Sequence, residues 1–154
     1  MKIKFIFLYY IIFFLLNSCG YERIYLLKEL NYNISEIEFQ SNENVDKSIK
    51  KAFQNLNFKK GGKNINVVIN SQKKTNIITK DKKGNPDLLE LLIIVELFLY
   101  DETELLNNKI FLKSSKYSNS DNKFDLNIYE KNLEKSLNEK ITEEIINYLT
   151  QLRV

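Results

Sequence analysis

The complete absence of histidine limits which residues of this 154-residue chain could do chemistry. Without His, the chain lacks the usual general acid/base, the Ser-His and Cys-His nucleophile pairs and the commonest zinc ligand. The carboxylates Asp101, Glu102 and Glu104 lie close together, but their spacing does not match a calcium-binding loop, and we interpret them as a solvated turn. The sequence therefore predicts a protein that is not an enzyme.

Cys19, the single cysteine, follows a short apolar segment. Lys2 and Lys4 supply positive charge at the N-terminus, and most of Ile3–Leu16 is apolar, as is typical of a secretory signal. The segment is too short to span a bilayer, which takes about 20 apolar residues. The Leu-Asn-Ser-Cys sequence at positions 16–19 resembles the bacterial lipobox, which predicts a cleaved signal peptide over residues 1–18 and a lipid on Cys19. The alternative is a free thiol at the end of an uncleaved anchor.

A lipid on Cys19 has three consequences. The only thiol becomes a thioether, so the mature chain can form no disulfide in an oxidising compartment. Several acyl chains, each contributing about 0.8 kcal/mol per buried methylene, would hold the protein stably in a membrane. The residue after Cys19 is Gly20, and the resemblance to bacterial lipoproteins implies that a residue other than Asp there permits export. We expect an anchor in the outer membrane, on its periplasmic side, and no cofactor besides the covalent lipid.

A second candidate group consists of five lysines between positions 73 and 83. They are Lys73, Lys74, Lys80, Lys82 and Lys83. Ammonium groups are compact point charges that suit phosphates, so the functional interpretation is binding of an anionic lipid headgroup. The alternative is that these lysines keep an edge strand soluble and prevent it from mispairing.

Two further basic features do not indicate nucleotide or nucleic-acid binding. The Lys-Gly-Gly-Lys sequence at positions 60–63 is not a phosphate loop, because Asn57 and Asn64 stand where that motif needs Gly and Ser or Thr. Of the 23 basic residues only Arg23 and Arg153 are arginine, and the abundant Lys, Asn and Ile are typical of an AT-rich genome. We expect no nucleic-acid partner.

The elements that position these residues follow from apolar periodicity. Strands are predicted over Ile34–Phe39, over Ile65–Thr79 with a possible bulge, over Leu88–Tyr100 and over Lys109–Lys116. Leu88–Tyr100 is apolar almost throughout, so periodicity fits a buried strand or a buried helix, and its β-branched centre favours a strand. Glu90, Glu96 and a length of about thirteen residues argue against a membrane span.

Two segments predict helices. Asn44 can cap a helix whose apolar stripe runs through Val45, Ile49, Ala52, Phe53 and Leu56. From about Asn127 to Leu152, apolar residues recur every three to four positions, which predicts a helix roughly 39 Å long. Such a helix can cover a sheet face, although its spacing would also fit a coiled coil. We expect one α+β domain over residues 19–154, begun by a tether at 19–30, with a four-stranded, mostly antiparallel sheet.

The order of these features resembles the LptE-type lipopolysaccharide-assembly lipoproteins. The resemblance covers the lipobox, the Cys19-Gly20-Tyr21 start, the strands, Ser-x-Tyr at Ser115–Tyr117 and the C-terminal helix. It departs from the family at Glu22-Arg23-Ile24, where a Pro or Leu-Arg-Gly is frequent. The resemblance implies a small sheet with both helices on one face, acting as a plug in an LptD-type outer-membrane β-barrel and helping to deliver lipopolysaccharide to the outer leaflet. The alternative is an envelope lipoprotein that serves another complex as a ligand-binding or accessory subunit.

Overall fold

The structure is a computed structural model that describes residues 29–41, 44–54, 56–58 and 62–152. The predicted signal peptide, Cys19 and residues 20–28 of the expected tether lie outside the described residues. The elements are β1 (Glu29–Leu30), β2 (Asn33–Phe39), α1 (Asn44–Phe53), β3 (Asn57–Phe58), β4 (Asn64–Lys80), β5 (Pro86–Asp101), β6 (Glu104–Ser118) and α2 (Lys123–Gln151).

The main sheet has the strand order β2-β4-β5-β6. Strand β2 pairs in parallel with β4, and α1 lies in the crossover that a parallel pair requires. Strands β4, β5 and β6 form an antiparallel meander, and β4 is bulged near Ile77, as the sequence suggested. The predicted α+β class is confirmed. The pairing of β1 with β3 was not predicted, because two-residue strands carry no periodic signal.

Strand β5 is the centre of the core. Its odd-numbered residues from Leu89 to Leu99 are all buried on one face of the sheet. Its even-numbered residues lie on the opposite face, where Leu92, Ile94 and Phe98 are only partly exposed. Because both faces of the strand carry apolar side chains, the sequence shows no alternation, and this is why periodicity alone could not distinguish a strand from a helix.

Both helices pack on the face that carries the buried residues of β5. Ser71 and Lys73 point to the same side of β4, since they are two residues apart. The Ser71 hydroxyl donates to Asp46 of α1 over 2.5 Å, and the Lys73 ammonium pairs with Glu134 of α2 at 3.1 Å. Among the described residues, neither helix packs on the opposite face, so that face of the sheet is uncovered.

A buried carboxylate fastens α1 to the sheet. Asp46 lies in the first turn of α1, is almost inaccessible to solvent, and accepts hydrogen bonds from the hydroxyls of Ser71 and Ser41. The positive end of the helix dipole favours a carboxylate at this position. The three side chains therefore fix the start of α1 against β4.

The ends of both helices differ from the predictions. The helix α1 ends at Phe53, and Leu56 is buried in the segment that follows it. The helix α2 begins at Lys123, four residues before the predicted start, because the Asn122 side chain accepts hydrogen bonds from the backbone N–H groups of Phe124 and Asp125. Its first turns have exposed apolar residues that do not continue the buried stripe, so apolar periodicity missed them.

Candidate functional site

The turn between β4 and β5 forms an exposed hairpin tip, which we define as Ile77–Pro86. Every residue of β4 from Gln72 to Lys80 is exposed. Asp81 closes the turn: one carboxylate oxygen accepts the backbone N–H groups of Lys83 and Asn85 at 2.8 Å, and the other accepts the Asn85 side chain at 3.0 Å. These bonds, led by the Asn85 side chain, hold the pKa of Asp81 below its ordinary value. Gly84 adopts a φ of 86°, which suits glycine.

Three of the five candidate lysines lie together at the hairpin tip. Lys80 ends β4, and Lys82 and Lys83 follow in the turn, all exposed. Ile77 and Ile78 lie beside them and remain 51% and 41% exposed. The hairpin tip therefore carries exposed ammonium groups and exposed apolar side chains within a few residues of one another, the combination that a phosphorylated amphiphile requires.

The structure separates the other two lysines from the hairpin tip. Lys73 and Lys74 precede Lys80 by six to seven positions, which corresponds to about 20 Å along a strand. Lys73 lies on the helix side of the sheet, where Glu134 pairs with it. Lys74 is its neighbour in the strand and so lies on the uncovered face. The five lysines are close in the sequence, but neighbouring residues of a strand point to opposite faces of the sheet.

A polar cavity of about 530 Å³ lies at the base of the hairpin tip. Its lining includes the carboxylates of Asp81, Asp87 and Asp121 together with the ammonium group of Lys123. The excess of carboxylates makes it unsuitable for a phosphate, so an anionic ligand would contact the outer surface of the tip instead. In the described part of the chain, no group of three or more potential ligand side chains could hold a metal ion.

The N-terminal end of α2 adds apolar surface next to the hairpin tip. Asn119, just before α2, donates hydrogen bonds of 2.7 Å to the backbone carbonyls of Pro86 and Asp87. Phe124, in the first turn of the helix, is 73% exposed, and Ile128 one turn later is also exposed. Phe124 was not predicted because it precedes the predicted start of the helix, and Ile128 was not predicted because it lies outside the apolar stripe.

The structure also explains the other residues that the sequence suggested as possible binding sites. Asp101 ends β5, Glu102 lies in the exposed turn that follows, and Glu104 begins β6. Asp101 pairs with Lys63 at 2.8 Å. Gly62 lies against the backbone of Tyr32, so closely that a Cβ there would come within 2.8 Å of the Tyr32 Cα. Close packing therefore accounts for a glycine at position 62 without any phosphate.

Aromatic side chains line the sheet edge at β6. The rings of Phe111 and Tyr148 meet edge to face with centroids 5.7 Å apart. The ammonium group of Lys109 lies 4.4 Å from the Tyr148 centroid and 5.5 Å from the Phe111 centroid. The sequence gives no sign of this contact, because Tyr148 lies 37 positions beyond Phe111 and on another element.

Comparison with known proteins gives matches at the level of structure. No protein-family model matches the chain, and no curated protein sequence matches it. A minor lipoprotein from Acinetobacter baumannii is similar with a TM-score of 0.62 at 9% identity, covering 79% of this chain and 93% of that one. Rare lipoprotein B from Shewanella oneidensis has a TM-score of 0.59 at 10% identity, covering 75% and 94%.

A third solved structure extends this similarity. Within the described residues, no helix combines the length and apolar character needed to cross a membrane. An uncharacterized lipoprotein B from Nitrosomonas europaea has a TM-score of 0.58 at 12% identity, covering 82% of this chain and 88% of that one. At these identities the similarity concerns the fold, and we conclude that the chain has the fold of a group of small bacterial lipoproteins.

Proposed function

We propose that this protein is a lipid-anchored protein of the outer membrane that binds lipopolysaccharide at its hairpin tip and acts as the plug of an LptD-type β-barrel. The observation that carries the proposal is the exposed tip itself, where Lys80, Lys82 and Lys83 lie beside Ile77 and Ile78. The lipobox-like sequence before Cys19 and the fold shared with small bacterial lipoproteins support the anchor.

The chemistry of the hairpin tip suits lipopolysaccharide because that lipid carries phosphates next to acyl chains. Ammonium groups at Lys80, Lys82 and Lys83 attract the phosphates, and Ile77 and Ile78 offer apolar contact to the chains. Asp81 is held inside the turn by its own hydrogen bonds, so it shapes the tip without pairing with these lysines. Binding of this kind makes and breaks no covalent bond.

The polar outer surface of the domain is suited to the role of a plug. The outward side of α2 carries exposed charged residues of both signs, among them Lys135, Glu139 and Lys140. Such a surface can lie against the hydrated interior of a large barrel. A lipid on Cys19 would then hold the domain at the periplasmic end of the barrel.

The test of lipid binding compares two variants with the same change in net charge. The triple charge reversal K80E/K82E/K83E should lower the affinity for purified lipopolysaccharide about tenfold or more, because each lost phosphate contact is charge-assisted. The control K131E/K135E/K140E reverses three exposed lysines of α2 and should bind as the unaltered protein does. Equal affinity of both variants for lipopolysaccharide would contradict binding at the hairpin tip and would favour a role of these lysines in solubility.

The test of the barrel partner is recovery of the tagged protein in mild detergent. We expect a large outer-membrane β-barrel to purify with it, and we expect K80E/K82E/K83E to retain that barrel. Repeated purification without any barrel would contradict the plug role. Lipopolysaccharide binding without a barrel would favour the alternative, an accessory or ligand-binding subunit of another envelope complex.

A further inference from the structure

The two edges of the main sheet are built differently. The edge strand β2 has seven residues, its register shifts between Ile34 and Glu36, and Glu36 and Glu38 are exposed along it. Short length, irregularity and charge are the features that keep an edge strand from pairing with another chain. The edge strand β2 is therefore protected.

The edge strand β6 is longer and more regular than β2, and the charged residues in its regular part are all lysines, Lys109, Lys113 and Lys116. It has 15 residues, and its pairing with β5 runs without a register shift from Asn107 to Ser118. Ile110 and Leu112 point to the uncovered face and are 62% and 55% exposed. Among the described residues β6 is the last strand of the sheet, so every second residue of β6 directs its backbone N–H and C=O groups away from β5. A long, regular edge with exposed apolar and basic side chains is suited to receive another strand that carries acidic side chains.

A groove runs beside β6 on the helix side. It has a volume of about 470 Å³, and its walls include Lys109, Phe111 and Lys113 from β6 and Glu144 and Tyr148 from α2. Lys113 and Glu144 neutralise each other by an ion pair. Lys109 instead lies over the rings of Phe111 and Tyr148, which leaves the groove with a net positive charge.

We propose that β6 accepts an extended segment of a partner polypeptide as an additional strand of the sheet. Side chains of an added strand alternate between the two faces. One set would enter the groove, where an acidic side chain suits Lys109, and the other set would lie beside Ile110 and Leu112, where apolar side chains fit. We therefore expect β6 to bind a segment in which acidic and apolar residues alternate.

The positive charge of β6 favours this acidic partner segment over a second copy of the chain. Two β6 strands paired with each other would bring Lys109, Lys113 and Lys116 of one copy next to the same lysines of the other, and Glu144 neutralises only Lys113 among them. An isolated acyl chain would cover Ile110 and Leu112 but would leave the outward backbone groups of β6 unpaired. An extended acidic and apolar polypeptide satisfies both the charge and the backbone groups.

The experiment uses the full-length protein in detergent and a fluorescent peptide of alternating valine and glutamate, about eight residues long, a common strand length. Two further peptides carry N-methyl groups on alternate residues, one on the valines and one on the glutamates. One of the two should bind about tenfold or more weakly, because its methyl groups block the hydrogen bonds to β6, and the other should bind as the parent does. Equal affinity of the two, or no binding of the parent, would overturn strand addition.

Two variants locate the site. K109A should remove the preference for the valine–glutamate peptide over a valine–glutamine peptide, whereas K116A, on the opposite face of β6, should keep that preference. Circular dichroism would be used to check that each variant is folded. An unchanged preference in K109A, or a dimer that forms through β6 and excludes the peptide, would overturn the proposal.

Discussion

The hydroxyl of Tyr32 donates a hydrogen bond of 3.0 Å to the backbone carbonyl of Leu149, 117 positions further along the chain. Tyr32 is buried just before β2, and Leu149 is buried in the last turns of α2. Burial raises the pKa of Tyr32 well above its ordinary value, so the hydroxyl keeps its proton and remains a donor. This bond joins the N-terminal edge of the domain to its C-terminal helix.

The first prediction concerns this bond. Tyr32→Phe removes the hydroxyl and keeps the ring, and it should lower the free energy of unfolding by about 1 kcal/mol, the usual value of one buried hydrogen bond. Denaturant unfolding followed by circular dichroism measures the change. Tyr129→Phe is the control, because Tyr129 is exposed and should change stability by less than about 0.5 kcal/mol. Equal stability of both variants would show that the Tyr32 hydroxyl contributes nothing.

The second prediction concerns alkaline pH. Burial, and then the Glu130 carboxylate that accepts the Tyr117 hydroxyl at 2.6 Å, raise the pKa of Tyr117 to about 12. The unfolded chain loses this proton near its ordinary pKa of 10.0, so the contribution of Tyr117 is complete below pH 10 and is lost as the pH rises towards 12. Tyr117→Phe should therefore flatten the fall of stability above pH 10. Denaturant midpoints across this range measure the slope, and an identical slope in both proteins would contradict the assigned pKa.

The third prediction tests the packing of α2. Leu137 is buried against the core, and Leu137→Asp should reduce the free energy of unfolding by more than about 4 kcal/mol, because it buries an unpaired charge. The neighbouring Ser136 is exposed, so Ser136→Asp is the matched control and should melt like the unaltered protein. If Leu137→Asp also melted normally, this side of α2 would not face the sheet.

The fourth prediction concerns the anchor. Cys19→Ser should produce an unprocessed precursor that incorporates no labelled palmitate, because the hydroxyl cannot form the thioether. Ser18→Ala is the control, since it keeps a small residue before the cysteine and should be processed normally. Metabolic labelling followed by fractionation of the membranes measures both outcomes. Palmitate on the Cys19→Ser protein would contradict the predicted lipobox.

The sequence predicted the C-terminal helix from the period of its apolar residues, whereas it predicted β5 from its β-branched centre, because apolar residues lie on both faces of that strand. It placed the start of α2 too late because Asn122 begins the helix through its side chain and Phe124 is exposed, and neither contributes to the apolar stripe. It could not pair Ser71 with Asp46, or Tyr32 with Leu149, because such contacts depend on how the elements pack.

The candidate site was predicted in part. The position of Lys82 and Lys83 in a turn, just after Lys80 ends β4, follows from the turn-forming residues around them. The separation of Lys73 and Lys74 follows from the length and register of β4, and the pairing of Lys73 with Glu134 requires α2 to lie above that strand. The edge of β6 was not predicted, because a sequence does not say which strand of a sheet has no neighbour.

The bond from Tyr32 to Leu149 also bears on the order of folding. The meander of β4, β5 and β6 pairs neighbours in the chain and closes only short loops, so it can form early. Docking of the Tyr32 segment instead requires Leu149, 117 positions further along the chain, and so closes a much longer loop. We therefore expect the segment around Tyr32 to dock late in folding, after the meander has formed.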